Sequence, residues 1–160
     1  MSLREMTMAD AGWFLPLNND AVPHVNALKA DDLEAMLAEA ALAWTVLAGG
    51  EPAGGLIAFR PGTSYDSANY LWFQDNYDDF LYIDRVVVDP EQRGLGLGKS
   101  FYERAMDAAR NAGVMLCCEV NERPPNPGSM RFHERFGFEP VGRQETEGGK
   151  KSVVLLTVQP

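Results

Sequence analysis

Cysteine is almost absent. The chain holds two, adjacent at Cys117 and Cys118, so there is no disulfide framework to staple a small fold. No apolar run approaches the ~20 residues that span a bilayer, and the opening MSLREMTMAD lacks the apolar centre of a secretion signal. Basic residues are the minority: 14 Lys and Arg stand against 23 Asp and Glu, a net charge of −9. A surface that acidic repels phosphate backbones, and no basic run offers a local exception. The expectation is a soluble, cytoplasmic protein with no nucleic-acid and no membrane partner, to which a cationic amine is a congenial ligand. No repeat or low-complexity tract interrupts the 160 residues, of which 46% are hydrophobic and 23% charged. That composition belongs to one globular domain, residues 1–160, with a core that needs no metal.

Pattern divides the chain into alternating elements. Residues 3–6 read as a first strand. Thr7 can cap a helix from Met8 to about Leu17, with Asp10 closing a capping box and Pro16 and Asn18-Asn19 ending it. Asp31 can cap a second helix, whose stripe is Leu33, Met36, Leu37 and Ala40. Strands follow at 42–48 and 53–60 around a turn at Gly49-Gly50. Residues 61–79 look like a long loop with a little strand near Tyr70–Phe73. Residues 80–88 have buried-strand composition, and a helix runs to about Ala112 with Leu97, Phe101, Ala105, Ala108 and Ala112 on one face. A strand at 114–120, a helix capped by Asn126 and stopped at Gly137, and strands at 138–143 and 152–158 complete a mixed α+β or α/β sheet with helices on both faces.

The most informative stretch is Val86-Val87-Val88-Asp89-Pro90-Glu91-Gln92-Arg93-Gly94-Leu95-Gly96-Leu97-Gly98-Lys99-Ser100. A buried strand enters a glycine turn that opens a helix, where outward N–H groups and the helix dipole suit a phosphate. A plain tight connection would need one glycine rather than three. The dinucleotide fingerprint requires glycine where Lys99 stands, with an acid near Glu119; the Walker pattern fits Gly98-Lys99-Ser100 but requires glycine at Arg93. A P-loop-like nucleotide hydrolase is therefore one rival reading. The stretch fits a third pattern residue by residue. It resembles motif A of the GNAT N-acetyltransferase superfamily: Val88-Asp89-Pro90 closes the strand, and Arg93, Gly96 and Gly98 fill the motif. The later motif of that superfamily is matched from Asn126 through Ser129, Phe132 and Gly137-Phe138, with His133 where the family carries a tyrosine.

The resemblance implies a mostly antiparallel sheet of about seven strands and acetyl-CoA as the acyl donor, with CoA as product and no metal. It implies that backbone at Val86, Val87 and Val88 holds the pantetheine arm, that the turn from Arg93 through Gly94, Leu95, Gly96, Leu97, Gly98, Lys99 and Ser100 holds the pyrophosphate, and that Asn126 and Ser129 touch the cofactor from the other side. Transfer is expected to be direct, to a small-molecule or amino-acid-like amine. His133 then occupies the place of the acid that protonates the departing thiolate. A domain that binds acyl-CoA without turnover is the non-enzymatic rival.

Asp84, inside FLYIDRVVV, is a charge in a buried strand and hence a candidate base. Strand alternation points Arg85 to the other face, which leaves Arg60 as a structural partner for Asp84. Glu119 is the second choice of base. Tyr65, Tyr70, Trp72, Phe73, Tyr77, Phe80 and Tyr82 form an aromatic wall that could hold a cationic acceptor, cover the sheet or make a homodimer contact. Asn18, Asn19 and His24 are polar candidates for the acceptor end, with Asn19, Tyr70 and Trp72 taken as substrate residues. Cys117 and Cys118 read as core, and residues 75–79 as a solvated acidic loop without the calcium-loop glycine.

Overall fold

A computed structural model describes residues 2–160. The chain runs through β1 (Ser2–Glu5), α1 (Ala11–Asp20), α2 (Ala30–Glu39), β2 (Leu42–Ala48), β3 (Glu51–Phe59), α3 (Ala68–Asn76), β4 (Leu81–Val88), α4 (Leu97–Ala112), β5 (Leu116–Arg123), α5 (Pro127–Arg135), β6 (Glu139–Thr146) and β7 (Lys151–Val158). The seven strands make one sheet in the order β1-β2-β3-β4-β5-β7-β6. Every neighbouring pair is antiparallel except β4 and β5. The expected mostly antiparallel seven-stranded sheet is present, and both nucleotide-binding readings, which require parallel sheets, fall with it.

Two cores lie on opposite faces. Phe101, Ala105 and Ala109 of α4 pack against Leu56, Ile83, Leu116 and Val154, with Phe132 of α5 and Phe136 just beyond it at the margin. Phe14 of α1, Leu33 and Met36 of α2 and Tyr70 and Phe73 of α3 cover the other face. The α4 stripe drifts from the expected Ala108 and Ala112 to Tyr102 and Ala109, as 3.6-residue periodicity requires over sixteen residues.

Local chemistry explains most element ends. The Thr7–Asp10 capping box forms as expected: Ala9 N–H donates to Thr7 Oγ1 at 3.3 Å and Thr7 N–H to Asp10 Oδ2 at 2.9 Å. It opens a 3-10 turn that leads into α1. Pro16 does not stop this helix, which continues to Asp20. It forfeits one backbone bond, and the buried Phe14 and Asn18 hold the turn regardless. Asp31 does not cap α2 but lies in its first turn; the N-cap is Lys29, whose N–H donates to Asp32 Oδ2 at 2.9 Å. The expected loop at 61–79 contains α3 instead, with Tyr70 and Phe73 buried one turn apart. Apolar residues on its other faces, Leu71 and Trp72, hid the helical period. Trp72 packs on Gly142 of β6, where any Cβ would lie 2.6 Å from its ring.

Candidate active site

The sheet opens at its one parallel junction. β4 and β5 are paired only at Leu81–Leu116 and Tyr82–Cys117, then part. Beyond that point β4 remains bonded to β3, and β5 to β7. The wedge between them is part of a cleft of about 850 Å³ that reaches both faces.

On the α4–α5 side, the cleft is bounded by Val86, Val88, Arg93, Gly98, Asn126 and Ser129. Val87 turns the other way and is 4% exposed in the opposite core, so of the three valines only its backbone is on offer. Gly94 and Gly96 adopt φ of +87° and +72°, the left-handed region that glycine enters without strain. A Cβ at either would meet nothing within 4 Å, so this turn faces open space. The first-turn amides of Leu97, Gly98 and Lys99 have no helical acceptor by construction. Ser100 does not belong with them: its N–H is taken by the Gly96 carbonyl at 3.0 Å. Leu97 is buried, Leu95 is exposed, and the Lys99 side chain is 70% exposed beside Glu103 rather than folded over the amides. Asn126 accepts from Ser129 N–H at 3.4 Å and caps α5. The arrangement fits a pyrophosphate on the turn and an extended arm along β4.

On the other face, three charged side chains converge. Tyr82 Oη donates to Glu119 Oε1. Tyr65 Oη donates to Asp84 Oδ1 at 2.5 Å, and Arg85 Nε donates to Asp84 Oδ2 at 2.7 Å. Arg85 Nη1 reaches Asn18 Oδ1 at 2.8 Å and the Asn26 carbonyl at 3.1 Å. The expectation that Arg85 points away from Asp84 is wrong. Ile57 pairs with Arg85 and Ala58 with Ile83, so Asp84 is the extra residue of a β-bulge and two consecutive side chains share one face. Arg60 is not the partner of Asp84 either, and binds Asp79 at 2.9 Å. Burial pushes the Glu119 carboxyl up to about 8, with Asp84 adding repulsion, against the Tyr82 hydrogen bond that lowers it. Burial and the neighbouring carboxylates likewise push the Tyr82 and Tyr65 phenols well above their ordinary value.

His133, on α5, lies on the α4–α5 side of the cleft and is 5% exposed. Its Nδ1 is 2.7 Å from the Ser129 carbonyl, which can only accept, and its Nε2 is 2.7 Å from Tyr102 Oη. In the neutral ring Nδ1 therefore carries the hydrogen and Tyr102 donates to Nε2. Burial pushes the His133 pKa down, against the hydrogen bond to the Ser129 carbonyl, which raises it.

The substrate residues inferred from sequence fare less well. Tyr70 is fully buried with its hydroxyl on the Arg60 carbonyl at 2.7 Å, and Trp72 is committed to β6. Asn19 exchanges hydrogen bonds with the backbone of Leu28 and ties the α1–α2 connection together. This end of the cleft is bounded by His24, one of the polar candidates from sequence, and by Asn26, Tyr65, Asn69, Glu147 and Lys151. Lys151 Nζ donates to Asn26 Oδ1 at 3.0 Å, which joins the two loops flanking this end. Lys151 and Tyr102 carried no sequence signal, since each acts through a partner far along the chain. Among the described residues no group of three or more side chains could hold a metal ion, and no helix is long and apolar enough to cross a membrane.

Known proteins agree with this geometry. The peptidyl-lysine N-acetyltransferase YjaB of Salmonella typhimurium is 32% identical over 77 residues, 48% of this chain and 49% of that protein. The chain thus matches about half the length of that curated relative. The ribosomal-protein-S18-alanine N-acetyltransferase of Escherichia coli superposes with a TM-score of 0.74 at 16% identity, covering 98% of this chain and 92% of that one. The acetyltransferase yncA of Salmonella typhimurium, solved with acetyl-CoA, gives 0.72 at 19% identity, covering 99% and 93%. At those identities the structures speak for the fold. The sequence profile of the Acetyltransferase (GNAT) family matches residues 8–138, and the chain belongs to that family.

Proposed function

We propose that the chain transfers the acetyl group of acetyl-CoA directly to a primary amine, with Glu119 as general base. The observation that carries this reading is the carboxyl of Glu119, raised to about 8, at the wedge where the cofactor side and the acceptor side of the cleft meet. A carboxylate of that pKa can take a proton from an ammonium at neutral to mildly alkaline pH, which a surface glutamate does poorly. Asp84, the first choice from sequence, is already engaged on both oxygens, by Tyr65 on one and by the Arg85 guanidinium on the other, and a carboxylate paired with a guanidinium is the weaker base.

The chain's residues then divide the work. The turn amides and Arg93 hold the pyrophosphate; backbone along Val86–Val88, unpaired toward β5, holds the pantetheine arm. Glu119 removes a proton from the acceptor ammonium. The amine nitrogen forms the new C–N bond as the thioester C–S bond breaks. The ammonium surrenders two protons in all: one leaves through Glu119 and the other goes to the thiolate, so one proton is released per turnover. A neutral His133 whose single N–H is spent on Ser129 is a poor donor to the thiolate, and we assign the relay of that second proton from the amine nitrogen to the thiolate to solvent.

The acceptor is proposed to be a slender alkyl amine, because the Lys151–Asn26 bond ties together two side chains that line this end of the cleft. A small-molecule amine satisfies this. The side chain of a protein lysine does so too, and the peptidyl-lysine acetyltransferase relative favours that second reading. Thiol release from acetyl-CoA, measured across free amines, amino acids and lysine-containing peptides, tests both. Release with no amine at all in the panel, despite acetyl-CoA binding, would overturn the enzymatic reading in favour of a binding domain.

A further inference from the structure

Glu119 has two carboxylate oxygens but one useful direction. Its strand partner across the antiparallel ladder, Leu155, is apolar and fully buried, and gives it nothing to bond. Among the described residues the only hydrogen bond from another side chain comes from β4, where Tyr82 Oη donates to Oε1. Tyr82 is 1% exposed and packed among Tyr70 and Phe73, so its phenol has little freedom to move. It also occupies the last paired position before β4 and β5 part. A rigid donor at the apex of the wedge thus meets a carboxylate just beyond it.

We propose, on the reading that Glu119 is the general base, that Tyr82 is its positioning residue: the phenol pins one carboxylate oxygen and leaves the other as the proton acceptor facing the thioester. Tyr82 does not itself exchange a proton with substrate. The same hydrogen bond favours the ionised carboxylate. Asp84 opposes it, adding negative charge on the same face, while Arg85 screens. From β5 itself come Cys117 and Cys118, and from α4 comes Tyr102, all held protonated by burial. Tyr65, bonded to Asp84, completes the set of ionisable groups around the site. Tyr82 and Asp84 therefore pull the ionisation of Glu119 in opposite directions.

The test uses the full chain with Glu side chains labelled with ¹³C and follows the Glu119 carboxyl by NMR against pH, assigned by its loss in Glu119→Gln. Tyr82→Phe is expected to move the midpoint to higher pH, and Asp84→Asn to move it to lower pH. A general packing disturbance would not produce opposite signs. In steady state with acetyl-CoA and the best amine of the panel, Tyr82→Phe should lower kcat about 10-fold at pH 7, the worth of one hydrogen bond to a charge, and recover as pH rises. An unmoved midpoint in Tyr82→Phe, or equal-sign shifts in both variants, overturns the positioning role. Full activity in Glu119→Gln with the opposite shifts intact would instead overturn the base and leave the pairing standing.

Discussion

Asp84 and Arg85 are consecutive on one strand, yet their side chains meet at 2.7 Å and both are 5% exposed. The bulge in β4 makes this possible, and Asn18 of α1 and the Asn26 carbonyl complete the guanidinium's partners. Arg85 thereby joins α1 and the α1–α2 connection to the carboxylates of the cleft. Removing it strands a buried negative charge. Arg85→Met should cost about 3–5 kcal/mol, which at this chain length lowers Tm by about 10 °C. Arg85→Met combined with Asp84→Asn should recover much of the loss, because the uncompensated charge goes too. Chemical denaturation of the two variants checks this, and a single-variant loss below about 1 kcal/mol would contradict it.

The frame was open to reading because glycines, caps and strand composition act locally. Gly94 and Gly96 hold positive φ, Asn126 caps α5, and Gly137 ends it at φ +88°, each as the sequence suggests. The catalytic face was less legible. Strand alternation is a sound rule until a bulge breaks it, and nothing in IDRVV announces an extra residue. Sequence could not say which of Asp84 and Glu119 pairs with a cation, because Arg85 is held against Asp84 by the bulge and by contacts with residues as distant as Asn18. The aromatic wall was visible as composition, but only Tyr65 and Tyr82 of it reach the cleft; the rest cover the sheet.

Asp10 gives a stability prediction with a defined sign. Two hydrogen bonds from Arg4, at 2.7 and 2.9 Å, lead the causes that hold its carboxyl at about 2 against an ordinary 3.8, with Thr7 N–H and Trp13 Nε1 assisting. A folded-state pKa below the unfolded one contributes stability that is present above pH 3.8 and lost as pH falls toward 2. Arg4 is 43% exposed, so solvent screening discounts the contribution to about 1–2 kcal/mol. The Tm difference between the native chain and Asp10→Asn should be largest near neutral pH and shrink across that acidic window. A constant difference would mean that packing, not charge, is what Asp10 supplies.

His133 separates a holding role from an acid role. As a neutral bridge between Tyr102 and Ser129 it fastens α5 to α4. His133→Phe leaves the buried Tyr102 hydroxyl without that partner, at a cost of about 1–2 kcal/mol, and Tm should fall by about 3–6 °C. Since the ring's only N–H is directed at Ser129, kcat should stay within about 3-fold of the native value, set against the 10²–10⁴-fold that a general acid contributes. Stopped-flow or steady-state thiol release on the two proteins decides. A hundredfold loss of kcat with unchanged Tm would restore His133 as the proton donor.

The glycine turn can be dissected because its glycines differ. Gly96 has φ of +72°, so Gly96→Ala forces a side chain into the left-handed region at about 1–2 kcal/mol. Gly98 lies inside α4 with helical backbone, and a Cβ there would approach only Phe132, at 4.0 Å. Gly98→Ala should therefore stabilise the free protein by about 0.5–1 kcal/mol. That same methyl group projects into the cleft from which the pyrophosphate must reach the first-turn amides, so it should weaken acetyl-CoA. Thermal unfolding with and without acetyl-CoA reads both effects at once. At a hundred times its Kd the ligand adds about 2.7 kcal/mol, worth about 5–10 °C in the native chain. Gly98→Ala is expected to start higher and gain less; Gly96→Ala to start lower and also gain less. If Gly98→Ala gains as much as the native chain, the phosphates do not rest on the amides that open α4, and the turn is a connection and nothing more.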